Sequence, residues 1–192
     1  MASAIFPLAP AHSGFDARGR AFERHLEEVH ALTPQSRHLF ASPLGPLAAG
    51  GQAGWLPRLV FFGPGCSDES WRLAFLAGFD HRDLRSAHAL LRVAEFFAGQ
   101  SDEAYGLNLT FFPLIDVGGF TRGVTRTLAA EHWGRSREPE IEALEQEARQ
   151  TGYHGFVRVE TAPPGEDMLS IRVREPSEAE RSADVELISS LD

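Results

Sequence analysis

Apolar residues recur along this chain with two different periods, and the changes between them mark out its elements. From Asp16 to Leu32, Phe22, Leu26 and Val29 fall on one face with Arg24, Glu27 and Glu28 outside, which predicts an amphipathic helix that Pro34 stops. Short β-like pieces follow at His38–Ser42, Pro46–Gly51 and Arg58–Phe62, the last closed by Gly63-Pro-Gly65. The run Trp71–Gly78 is apolar on both sides, as in a strand buried on two faces between helices. Asp83 then N-caps a helix to about Ala98, with Leu84, Ala87, Leu91 and Ala94 inward, Leu90 and Phe97 widening the stripe, and Gly99 as its C-cap. Another apolar strand, Leu107–Ile115, ends at Asp116 and a Gly118-Gly119 turn. A third helix starts after Ser136, with Pro139 in its first turn and Ile141, Leu144 and Ala148 inward, and Gly152 ends it. Strands at Gly155–Glu160 and Met168–Arg174 close the regular part.

This alternation predicts an α/β fold with a mixed, largely parallel sheet flanked by helices. Residues 1–192 fit one domain, with 175–192 an acidic tail or edge strand. Phe61, Phe62, Phe75, Phe111 and Phe112 are expected to pack between sheet and helices.

Composition removes several function classes. The formal net charge of −9 argues against a broad nucleic-acid or anionic-membrane surface. All 18 basic residues are arginine, so lysine chemistry is excluded. Cys66 stands alone, without a partner for an internal disulfide or a Cys-x-x-Cys site. No Gly-x-Ser-x-Gly or Gly-x-Gly-x-x-Gly motif occurs, and no apolar run is long enough to span a bilayer. A leader without basic residues, interrupted by Pro7, completes the expectation of a cytoplasmic protein. His25, His30 and His38 lack ligand-like spacing and are expected at the surface or in loops. His81 and His88, two helical turns apart, could share a face.

Ligands of open α/β sheets bind beyond the carboxyl ends of strands. Three exits here carry polar residues: Asp80-His81-Arg82-Asp83, Asp116 and Glu160-Thr161. The stretch Leu73–Arg92 resembles the metal-binding region of the zinc carboxypeptidase superfamily, which includes succinylglutamate desuccinylases and aspartoacylases. There an apolar strand leads through Gly-x-His-Gly-x-Glu into an Ala/Leu-rich helix. Phe111–Phe120 is similar to the family's strand ending in Pro-x-x-Asn-Pro-x-Gly-Phe, and Arg137–Leu144 to its Glu-Pro-Glu helix start. Gly155–Thr161 lies where the family has a strand ending in Leu-His-x-Asp. The pieces occur in the family's order from about Leu32 to Thr161.

The resemblance implies a zinc-carboxypeptidase-like fold, C-terminally shortened, with a degenerate metal motif. The first two ligand positions become Asp80 and Asp83, and the third becomes Val159, which has no donor atom. The family's substrate arginine falls in Thr127–Ala130, its asparagine is Asp116, and no tyrosine follows Thr161. The implied protein is catalytically degenerate, with no catalytic residues and no cofactor expected. It has a binding, regulatory or structural role, and its shortened sheet favours a homo-oligomer or protein partner, with no nucleic acid and no membrane. The alternative is a metal-dependent peptidase or N-acyl amino acid deacylase. In it Asp80, Asp83 and Glu160 hold Zn, Mn or Mg, His81 is a replacement ligand or general base, and Arg122 or Arg126 grips a substrate carboxylate.

Overall fold

The computed structural model describes residues 17–49, 52–123, 128, 138–161 and 169–173. Helix α1 (Ala17–Leu32) follows its apolar stripe: Phe22, Leu26 and Val29 are buried, and Arg24, Glu27 and Glu28 are exposed. Strand β1 (Leu39–Ala41) comes next, then β2 (Leu44–Ala49) and β3 (Gln52–Leu56), an antiparallel pair of which the sequence pattern marks only the first member. Strands β4 (Leu59–Phe62) and β5 (Trp71–Leu76) precede helix α2 (Leu84–Gly99). Strand β6 (Leu107–Phe112), helices α3 (Val117–Arg122) and α4 (Pro139–Thr151), and strands β7 (Gly155–Thr161) and β8 (Leu169–Val173) complete the order.

Six of these strands form one mixed sheet in the order β1-β4-β6-β5-β7-β8. Its centre, β6-β5-β7, is parallel, and antiparallel strands flank it on both sides. Helix α2 covers one face, where Phe97 meets Phe61 and Phe111 with ring centroids 5.6 and 6.4 Å apart. Helix α4 reaches the other face, where Glu147 pairs with Arg58. Helices on both sides of the sheet are what the Trp71–Gly78 run predicts, but Trp71 at its start is 60% exposed and only Ala74 and Leu76 of β5 are buried.

Three local expectations need correction. Helix α2 includes Gly99 and closes on Gln100 at φ −132°, so no left-handed glycine caps it. The Gly118-Gly119 turn is instead the first turn of α3. Glycine is a poor helix former, but the Asp116 carboxylate caps this helix and lies 2.1 Å from where a Cβ on Gly119 would stand. Phe62 is 45% exposed, because strand alternation turns it away from buried Phe61.

Phe62 meets Phe40 of β1 edge-on at 5.9 Å, on the α4 face of the sheet. The two help line a groove of about 350 Å³ together with Val60, Asn108, Thr110 and Tyr153. Burial pushes the Tyr153 phenol up to about 12, so it stays protonated there. Among the described residues no helix is long and apolar enough to cross a membrane. Residues 175–192 and Arg126 lie outside the described residues.

Candidate functional site

The exits of β5 and β6 are tied together by their backbones. Ala77 N–H donates to Phe112 O at 2.9 Å, and Asp116 N–H donates to Gly78 O at 2.8 Å. Gly78 makes this approach possible: its φ is +64°, and a Cβ there would stand 3.0 Å from Leu114. The result sets Asp116, which is fully buried, beneath the loop that carries His81.

Among the described residues, Asp116 accepts N–H groups from both Gly119 and His81. Gly119 N–H reaches Oδ1 at 2.8 Å, while His81 reaches Oδ2 through its backbone N–H at 3.2 Å and its ring Nδ1 at 2.7 Å. A carboxylate can only accept, so Nδ1 carries the proton and Nε2 keeps its lone pair. Nε2 has no hydrogen-bond partner among the described residues. The His81 side chain is 15% exposed. The pair therefore offers a ligand one oriented basic nitrogen. Glu140 of α4, almost wholly buried, accepts Gly118 N–H at 2.9 Å and holds the start of α3 from the other side.

Asp80 turns outward to Arg82. Its Oδ1 accepts both the backbone N–H and Nε of Arg82, at 2.9 and 2.8 Å. This fork, led by the Arg82 side-chain bond, holds the Asp80 carboxyl down at about 2. Such a carboxylate favours the fold above its ordinary value and loses that contribution as the pH falls toward 2. Solvent screens most of it, because Arg82 is largely exposed. In an NMR pH titration Asp80 is expected to titrate near 2 and to move up toward 3.8 in Arg82→Gln. An unmoved midpoint would show that the fork does not form.

Asp83 has a different task. It caps α2 by accepting Ser86 N–H, and it also accepts Thr161 N–H at 3.1 Å and the Thr161 hydroxyl. One side chain thus stitches the start of α2 to the end of β7. Side chains alternate along a strand, so Thr161 and buried Val159 share the Asp83 side and Glu160 points to the opposite face. There Glu160 pairs with Arg158, whose guanidinium lies 4.6 Å over the Phe79 ring. Asp80, Asp83 and Glu160 are therefore engaged separately. Among the described residues no group of three or more His, Cys, Asp or Glu side chains is placed to hold a metal ion. Arg122 ends α3 exposed, donating from Nε to Gly118 O at 3.2 Å.

The histidines depart furthest from expectation. His25 is buried, at 6% exposure, and bonds His88 of α2, so His88 and His81 serve different partners. The signal was present in the spacing: His25 follows Phe22 by three and precedes Val29 by four, on the buried stripe itself. Burial lowers His30 to about 4, whereas half-buried His38 sits in the loop before β1 and bonds Phe62 O.

No protein-family model and no curated protein matches the chain. Among solved structures, a metallo-carboxypeptidase from Burkholderia cenocepacia superposes with a TM-score of 0.60 at 18% identity, over 73% of this chain and 40% of that one. The fold is that of the metallocarboxypeptidases. A structure of bovine thrombin-activatable fibrinolysis inhibitor in complex with tick carboxypeptidase inhibitor also matches, with a TM-score of 0.52 at 11% identity over 75% of this chain and 60% of that one. The chain thus spans about two fifths of the first carboxypeptidase-like structure and three fifths of the second.

A catalytic zinc in this carboxypeptidase-like frame needs three donor side chains and an open position. Of the positions that correspond by motif, Val159 supplies no donor, Asp80 is clasped by Arg82, and Asp83 is committed to α2 and Thr161. These residues do not fit the ion.

Proposed function

We propose that this chain is a catalytically degenerate carboxypeptidase-like protein with a binding, regulatory or structural role. One observation carries the reading: each residue at a motif-matched ligand position has a structural partner or no donor atom. Arg82 neutralises Asp80, Asp83 joins α2 to β7, and Val159 packs in the core. What remains open to a ligand is His81 Nε2, oriented by a buried carboxylate, which can accept a hydrogen bond; no metal-holding cluster occurs among the described residues. The exposed pair Phe40 and Phe62 suits a protein partner or a second copy better than a nucleic acid, given the net charge of −9.

The test is elemental analysis after equilibration with Zn or Mn and dialysis, paired with assays on C-terminally unblocked peptides and N-acyl amino acids. We expect less than stoichiometric metal and no turnover above the buffer rate. One retained ion per chain, lost in Asp80→Ala together with hydrolysis, would overturn the reading.

A further inference from the structure

Helices α1 and α2 meet at two imidazoles. The rings of His25 and His88 are nearly parallel, with centroids 5.0 Å apart and planes at 16°, and their Nδ1 atoms are 2.8 Å apart. The other ring nitrogen of His25 lies 3.1 Å from Glu95 Oε1 on α2. Two nitrogens at that separation need one hydrogen between them. In the neutral pair His88 Nδ1–H donates to His25 Nδ1, and His25 Nε2–H donates to Glu95. One added proton can be placed as well, with His25 donating through both nitrogens, His88 accepting, and Glu95 as counter-charge. A second has no place. It leaves two N–H groups facing each other and two like charges in contact.

The surroundings do not relieve that repulsion. On α2, Arg92 bonds the second oxygen of Glu95 at 3.0 Å and brings a further positive charge. From α1, Phe22 meets the His88 ring edge-on at 5.7 Å, and Phe120 of α3 lies 5.7 Å beyond Phe22, so that side is apolar. Burial first, and then His25 and Arg92, hold His88 below the ordinary imidazole range.

We infer that His25 and His88 form a proton-operated latch, closed while the pair carries at most one extra proton and opened by the second, which releases α1 from α2. An imidazole in water takes up a proton near the ordinary value of about 6.5. The released state therefore holds more protons as the pH falls below that value, and docking weakens in the same direction. His30, on the last turn of α1, is also lowered by burial and adds acid sensitivity of its own, so the test must separate the two.

Amide hydrogen exchange, corrected for intrinsic rate, is compared at about pH 7.5 and about pH 5, on either side of the ordinary imidazole value. In the wild-type chain the protection of α1 amides should fall about thirtyfold relative to β6 amides, the linkage expected for roughly one excluded proton. His30→Gln should keep that fall, and His88→Gln should reduce it below about twofold. A pH-independent α1, or an equal fall in His88→Gln, overturns the latch. Should His88→Gln fail to fold, ring-nitrogen NMR of the wild-type chain decides. Two coupled steps about a pH unit or more apart support the shared proton, and two independent single steps refute it.

Discussion

Asp116→Ala is expected to cost about 2–4 kcal/mol of unfolding free energy, a lost helix cap plus stranded N–H donors, read as a lower urea midpoint at unchanged slope. The carboxylate is fully buried and accepts N–H groups from the first turn of α3 and from the His81 loop, so truncation removes the α3 cap and strands the His81 N–H groups together. Asp116→Asn tests the cause. Asparagine keeps the volume and one oxygen for the Gly119 cap, but its NH2 replaces the oxygen that accepts both His81 N–H groups, so its cost should stay at about 1–2 kcal/mol. An asparagine cost near zero beside a large alanine cost would mean that packing volume, rather than the hydrogen-bond set, makes this position important.

The second large effect lies in the core. Phe111→Ala should cost about 3–5 kcal/mol, because its ring is fully buried in central strand β6 between Phe75 and Phe97. Phe62→Ala, one strand away, should change stability by no more than about 0.5–1 kcal/mol, since the side chain is already half in water. Comparing the two by urea unfolding checks which face of the sheet carries the stabilising contacts. A Phe62 loss as large as that of Phe111 would mean that the groove is closed in solution.

The same pair shows what the sequence could and could not disclose. Periodicity located α1, α2, α4 and the central strands because each buries an apolar stripe or a double face long enough to stand out. It misassigned Phe62 because two consecutive phenylalanines in a four-residue strand have no period, and only the neighbouring strand decides which one faces α2. Helix α3 was invisible for another reason: two glycines hide it, and a buried carboxylate four residues beyond β6 creates it. At the site, motif order placed Asp80, Asp83 and Asp116 near the correct strand exits. It could not anticipate Arg82 folding back on Asp80, or strand alternation carrying Glu160 to the opposite face from Thr161. The contact between His25 and His88 joins residues 63 apart, which no local spacing pairs, even though each lies on a buried stripe.

Strand β5 acquires its neighbours on very different schedules. One side pairs with β6 after a single helical crossover, but the other waits for β7, where Arg72 meets His154 across 82 residues. Closing so long a loop costs entropy before any contact rewards it, so the β7 side should assemble late. A nascent chain halted before Gly155 would present β5 as an unpaired apolar edge, open to pairing with the same edge of another chain. The vulnerable period of this molecule is therefore the interval between synthesis of α2 and arrival of β7.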